Sequence, residues 1–150
     1  MLSGRLIHLI EAHQEQIAAS VIREIRLHPD LKDLRKLPDA ELRERSQQIL
    51  EHLDHWLSAG HEAEIEQRYE ILGRVRFEES IPLYESLQAL AIIKEKMFDF
   101  VHEQGLARTS MDLYAEEELE RRVGRFFDAL TIHMARGYET AWRQAARAIA

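Results

Sequence analysis

The sequence has no cysteine, and among its 150 residues are only three prolines and six glycines. Without thiols the chain has no disulfide framework, no thiolate metal site and no cysteine nucleophile. So few helix-breaking residues, beside 45% hydrophobic and 31% charged residues, are typical of a compact helical protein. No stretch approaches the ~20 apolar residues of a membrane span, and the N-terminal segment lacks the apolar core of a signal peptide. We therefore expect a cytoplasmic protein with one domain over residues 1–150.

Two further absences concern function. The net charge of −7 provides no basic surface, which argues against binding to nucleic acid or to an anionic membrane. The chain contains no G-x-S-x-G motif, no P-loop and no glycine-rich dinucleotide turn. We therefore predict a protein that is not an enzyme.

Apolar residues recur at helical spacing along five segments. The predicted main helices run from about Ser3 to Leu27, from Asp39 to the turn at Gly60, from His61 to Glu78, from Pro82 to Gly105, and from Ser110 to about Arg147. A short helical turn is predicted across Leu31, Leu34 and Leu37. The predicted N-caps are Asp39, Ser80 and either Ser110 or Asp112. The helix after Pro82 has the broadest apolar face, which predicts a central position.

The last predicted helix has more apolar length, on the order of 45 Å, than one small domain needs. Acidic residues dominate positions 103–120, whereas positions 121–150 hold six arginines against Asp128 and Glu139. Two copies packed antiparallel match these opposite charges, so we predict a homodimer that forms through the last two helices. The predicted interface residues are Val123, Phe126, Phe127, Leu130, Met134 and Tyr138.

Eight histidines raise the question of a metal site. His52, His55 and His61 lie close together in sequence, on a face that we expect to be solvated. A built zinc site usually adds a fourth ligand and supporting hydrogen bonds, so we interpret these residues as surface histidines. The Glu-x-x-His pattern of di-iron bundles does not occur. We therefore predict no metal and no cofactor.

One block of sequence, GRVRFEESIPLYESLQAL over residues 73–90, resembles the N-terminal domain family named after the RsbRD stress-regulator proteins. The family pattern runs Gly-Arg-x-Arg, three residues, a small residue, Ile-Pro-Leu, and then x-Glu-x-Leu-x-Ala-Leu. The matching positions are Gly73, Arg74, Arg76, Ser80, Ile81, Pro82, Leu83, Glu85, Leu87, Ala89 and Leu90. The family often has glycine where Ser80 stands, and serine suits the start of a helix.

The resemblance implies a helical, globin-like sensory module without haem. With the five main helices and the long C-terminal helix that the apolar spacing predicts, we expect a single all-α domain. Such modules usually precede a STAS domain or a histidine kinase. The implied function is a non-enzymatic sensor that detects a ligand or partner through a helical dimer and signals through the C-terminal helix. A separate signalling partner of the STAS-domain or kinase type is also implied.

In the globin-sensor pattern the proximal histidine falls near Arg76, whose guanidinium cannot bind iron. Two interpretations of Arg74 and Arg76 stay open. They pair with Glu70, Glu78 or Glu79, or one of them binds an acidic ligand in a pocket. The candidate pocket residues are Tyr69, Leu72, Arg76, Leu83 and Leu87. The alternative functions are a haem- or metal-binding globin-like sensor and a structural dimerisation scaffold.

Overall fold

The computed structural model describes residues 2–149, which form seven α-helices, one short 3-10 turn and no strand. The helices are α1 (Gly4–Ala12), α2 (Gln14–Leu27), α3 (Asp39–Leu50), α4 (Leu53–Leu57), α5 (Glu62–Glu78), α6 (Leu83–Glu103) and α7 (Ser110–Ile149), and the 3-10 turn is Leu34–Lys36. The predicted all-α class and the long C-terminal helix are confirmed. None of the helices within residues 2–149 is long and apolar enough to cross a membrane.

The structure has seven α-helices where five main helices are predicted, because the first two predicted helices are each interrupted. The first breaks at His13, with φ −113° and ψ 24°, and the second at His52, with φ −122° and ψ 38°. Glu11 at the end of α1 accepts a hydrogen bond from the backbone N–H of Asp54, with Oε2 to N 3.0 Å. This contact ties α1 to the first turn of α4, and the two breaks allow both short helices to pack together.

Helix α6 is central, as its broad apolar face predicts. It contacts α1, α2, α5 and α7, and its buried apolar residues are Leu90, Ile92, Ile93, Met97, Phe100 and Val101. Helix α7 packs lengthwise on α5, which is the most extensive helix pair of the fold. The core therefore lies between α6 and the α5–α7 pair, with α1 to α4 closing the remaining side.

The turn between α5 and α6 corrects the role predicted for Ser80. Ser80 has φ +59°, and its N–H donates to the carbonyl of Phe77 at 3.0 Å. The next N–H, of Ile81, donates to the carbonyl of Arg76, also at 3.0 Å. This pair of hydrogen bonds is the Schellman motif that ends a helix. Ser80 therefore ends α5, and it does not cap α6, whose N-cap is Pro82.

The start of α7 is held by a reciprocal pair of hydrogen bonds. The Thr109 hydroxyl oxygen accepts from the N–H of Asp112, and Asp112 Oδ2 accepts from the N–H groups of Arg108 and Thr109, all at 3.1 Å. These bonds hold the pKa of the Asp112 carboxyl below its usual value. Asp112 is thus part of the cap, as one prediction has it, but Thr109 is the N-cap residue in place of Ser110.

The start of α3 also differs from the prediction. Pro38 is the N-cap, and Asp39 is the first helical residue. The Asp39 carboxylate instead accepts from the Arg26 guanidinium, with Oδ1 to Nη2 2.5 Å. The ion pair joins the last turn of α2 to the first turn of α3, so Asp39 links two helices.

Candidate functional site

Two glycines set the contact between α5 and α7. An added Cβ on Gly137 lies 2.0 Å from the carbonyl oxygen of Glu70, and one on Gly73 lies 2.2 Å from that of Met134. Real Cβ atoms do not approach other atoms so closely, so the two helices meet here backbone to backbone. A glycine inside a helix costs about 1 kcal/mol relative to alanine, and here that cost permits the close approach.

Side-chain contacts between α5 and α7 continue on both sides of the two glycines. His133 Nδ1 lies 3.0 Å from Glu70 Oε2, and the rings of Phe77 and Tyr138 meet edge to face at 5.4 Å. Arg122 of α7 donates to the carbonyl of Leu57 just before α5, and Tyr138 of α7 meets Phe77 near the end of α5, so α5 and α7 run in the same direction. The region from 70 to 77 on α5 and from 133 to 138 on α7 therefore forms one continuous helix contact.

Arg76 lies at the end of this contact and is only 4% exposed. Its Nη1 donates to Glu79 Oε1 at 2.8 Å and to Glu41 Oε1 at 3.1 Å. The predicted ion pair with Glu79 is confirmed, and the pair with Glu41 is a link to α3 that the local sequence does not reveal. Arg74, by contrast, is exposed. Two carboxylates already occupy the Arg76 guanidinium, which secures the end of α5 to α3.

Glu85 in the first turn of α6 is buried, with 4% of its surface exposed. Its Oε1 accepts hydrogen bonds from the backbone N–H groups of Asp33 at 3.0 Å and Leu34 at 2.9 Å. The carboxylate therefore caps the 3-10 turn from a distant helix. In sequence this residue looks like one more acidic group near a helix start, and only the tertiary fold shows its second role.

Three of the five candidate pocket residues share one cavity. Tyr69, Leu72 and Arg76 line a cavity of about 40 Å³ in the core. Leu83 and Leu87 are half-buried elsewhere on α6, and that helix faces the cavity with Ser86, Ala89, Leu90 and Ile93. Helix α6 is therefore rotated about its axis relative to the prediction that Leu83 and Leu87 face the pocket.

The cavity is small and mostly apolar. Its volume suits one or two water molecules, whereas pockets for drug-sized ligands occupy about 300–1,000 Å³. Burial raises the pKa of the Tyr69 phenol, so this hydroxyl stays neutral. Larger open space lies on the surface, in a groove of about 610 Å³ between α1 and the start of α7, where Leu2, Arg5, Leu106 and Met111 are among the lining residues.

The six candidate interface residues of α7 lie within the single chain. Val123, Phe126, Phe127, Leu130 and Met134 are each at most 6% exposed, and Tyr138 is half-buried. The first five belong to the core of the single chain, and only Tyr138 keeps part of its surface exposed. The exposed large apolar residues of α7 are Met111, Leu113, Tyr114, Ile132, Trp142 and Ile149.

Of the three histidines considered as a metal site in the sequence, only His55 and His61 lie together in the structure. The rings of His55 and His61 are tilted by 37° to each other with their centroids 3.8 Å apart, and both contact Glu64. His52 is exposed and does not join them. The third member of the group is therefore a carboxylate.

A family model described as the RsbT co-antagonist protein rsbRD N-terminal domain matches residues 15–150 of the chain. No curated protein and no solved structure shows significant similarity to the chain. The match extends well beyond the block at 73–90 and covers α2 to α7.

Proposed function

Because the chain belongs to the RsbRD N-terminal domain family, whose role is regulatory, we propose that it is a non-enzymatic module of stress signalling. In this proposal a ligand or a partner protein shifts the packing of the helices, and α7 carries the shift to a second protein. The shift requires different affinities for the two arrangements, since a ligand that binds both equally moves no population.

The α5–α7 contact is the observation that supports this proposal most directly. Helix α7 is 40 residues long, roughly 60 Å, and it is uninterrupted from Ser110 to Ile149. At Gly73 and Gly137 the two backbones touch with no side chain between them. A displacement of α5 is therefore passed to α7 and is not absorbed by side-chain rotation.

We place the homodimer contact on the exposed face of α7. Ile132 and Trp142 are 58% and 56% exposed, and Ile149 is 90% exposed. Exposed charges of both signs, including Asp128 and Arg147, lie along the same helix. This mixture suits contact with a second copy of the same helix, because each sign then meets its opposite.

The downstream partner in this proposal is a separate signalling protein of the STAS-domain or kinase type. The support comes from the family's place in stress regulation. Past Ala141 the described residues of α7 have no buried member. We expect the partner to bind to this last part of the helix, on the side that the homodimer contact through Trp142 and Ile149 leaves free.

Native mass spectrometry of the untagged protein tests the dimer. We expect a dimer for the wild type and a monomer for Trp142→Glu, because a charge at the centre of an apolar contact is costly to bury. Leu27→Glu is the matched control, since Leu27 is 73% exposed but lies on α2. A wild-type monomer, or equal dimer fractions in the two variants, would contradict the placement on α7.

A further inference from the structure

We propose that His55, His61 and Glu64 form a binding site for a transition-metal ion of the Zn²⁺ class. The three residues come from two consecutive helices. His55 lies on α4, His61 is the N-cap residue of α5, and Glu64 lies in the first turn of α5. The turn between them passes through Gly60, whose φ of +94° folds α4 back toward α5.

The distances between ligand atoms support this assignment. His55 Nε2 lies 3.3 Å from Glu64 Oε2, and His61 Nδ1 lies 3.8 Å from the same oxygen. In a tetrahedral zinc site with ligands at about 2.0–2.1 Å, neighbouring ligand atoms are about 3.3–3.4 Å apart. All three ligand atoms lie within 4.8 Å of one another, so they must draw closer together to bind one ion.

The types of ligand also fit a borderline-soft ion. Two imidazoles and one carboxylate are the ligand set of several zinc and non-haem iron sites, whereas Ca²⁺ and Mg²⁺ prefer oxygen ligands alone. All three side chains are between 29% and 44% exposed. The ion therefore has an entry path, and water can fill the fourth coordination position.

A neighbouring residue fixes the carboxylate. Arg68 Nη2 contacts Glu64 Oε1 at 3.3 Å and leaves Oε2 toward the two rings. The Arg68 guanidinium is itself 5.3 Å from the centre of the Trp56 ring, within the range of a cation–π contact. This arrangement resembles the outer hydrogen bonds that orient metal ligands in zinc proteins.

A second group of three, Glu66, Glu70 and His133, is a weaker candidate. Arg136 Nη1 lies 3.8 Å from a Glu66 oxygen and 3.7 Å from Glu70 Oε2, the same oxygen that faces His133, whereas Arg68 contacts Glu64 Oε1 and leaves Oε2 to the two imidazoles. This group also offers one imidazole beside two carboxylates. Glu70 Oε2 also takes part in the contact with His133 that joins α5 to α7. We therefore assign the metal site to His55, His61 and Glu64 only.

A bound ion would cross-link α4 to the first turn of α5. His55 precedes Trp56, which stacks on Phe126 of α7 with ring centroids 6.4 Å apart. Metal binding would thus stabilise the packing of the α4–α5 turn on α7. The thermal midpoint should rise with ZnCl₂ concentration, because the ion binds the folded chain better than the unfolded chain.

The test is isothermal titration calorimetry of the untagged chain with ZnCl₂. We expect one ion per chain in the wild type and in His52→Ala, the matched control from the same region. His61→Ala and Glu64→Gln should each weaken binding by at least about tenfold. Circular dichroism verifies that each variant is folded, which we expect because all of these side chains are partly exposed.

Trp56 gives an independent spectroscopic readout. Its ring lies 4.9 Å from that of His55, so Cu²⁺ at the site should quench its fluorescence. Quenching should be strong in the wild type and in His52→Ala, and it should be lost in His61→Ala. Equal zinc affinity in His52→Ala and His61→Ala, or equal quenching in both, would show adventitious binding to surface histidines and overturn the proposal.

Discussion

Replacement of Gly137 by alanine tests the close contact of α5 and α7. The new Cβ would lie 2.0 Å from the carbonyl oxygen of Glu70, 2.6 Å from its carbon and 2.7 Å from its Cα. All three are backbone atoms within a helix, so none can rotate away. To restore an ordinary contact of 3.4 Å, the helices must separate by about 1.4 Å.

The expected loss of stability follows from two opposing effects. Alanine in place of glycine favours the helix by about 1 kcal/mol. Overpacking of a close contact costs about 1–3 kcal/mol, and a clash with backbone atoms belongs at the upper end. We therefore expect Gly137→Ala to lower the free energy of unfolding by about 2 kcal/mol, which is about 4–8 °C in Tm for a domain of this size.

Gly124 provides the matched control on the same helix. Nothing lies within 4 Å of a Cβ added there, so Gly124→Ala has the gain in helix propensity without the clash. Its free energy of unfolding should rise by about 1 kcal/mol. The assay is urea unfolding monitored by far-ultraviolet circular dichroism, with equal slopes verifying that both variants unfold in the same way.

The two alanine variants should thus differ by about 3 kcal/mol, with opposite signs relative to the wild type. A Gly137→Ala protein as stable as Gly124→Ala would refute the backbone contact. The mechanism by which α5 moves α7 would then lose its physical basis.

Three further changes test other features of the fold. Ser80→Gly should raise the free energy of unfolding by about 1 kcal/mol, because φ +59° is strained for serine and not for glycine. Glu85→Ala should lower it by about 2–4 kcal/mol, since the amides of Asp33 and Leu34 lose their acceptor. Asp112→Asn should change the acid dependence. The folded-state pKa of this group is lowered, so its stabilisation is present above the ordinary pKa of 3.8 and is lost as pH falls through the folded value.

Each of these changes has its own control in urea unfolding experiments. Ser80→Ala should not stabilise the protein, and a gain equal to that of glycine would exclude strain as the cause. Glu85→Gln keeps an acceptor oxygen, so a loss as large as that of Glu85→Ala would contradict the capping role. For Asp112, the wild type should exceed the Asn variant in stability at pH 6, and this difference should shrink as pH falls below 3.8. A constant difference would contradict the linkage.

Helix existence and type could be predicted from the sequence because apolar spacing is a strong local signal. The breaks at His13 and His52 could not, since neither position carries proline or glycine. The break before α4 depends on Glu11 accepting from the Asp54 amide, a contact across 43 positions of sequence. Interactions of this kind have no local signature.

The apolar line of α7 shows a different limit. From the sequence alone, Phe126, Phe127 and Leu130 are expected to contact a second copy, because nothing local shows that α5 packs against them. The structure buries them within the same chain. The available signal was Gly73 and Gly137, since a glycine inside a helix often marks a close approach to another backbone. The orientation of α6 has no comparable local signal. Its apolar residues surround much of the helix, and Leu83 and Leu87 lie on only one side of it.

In the proposed function, α7 transmits the packing of the helices to a second copy of the chain and to a partner. Because the chain has no native cysteine, a single spin label at Arg147→Cys gives one defined site per protomer. Double electron–electron resonance should then show a narrow distance between the two chains of a dimer. Gly73→Ala, which forces α5 from α7, should shift that distance. No distance between chains, or the same distribution in both proteins, would contradict the claim.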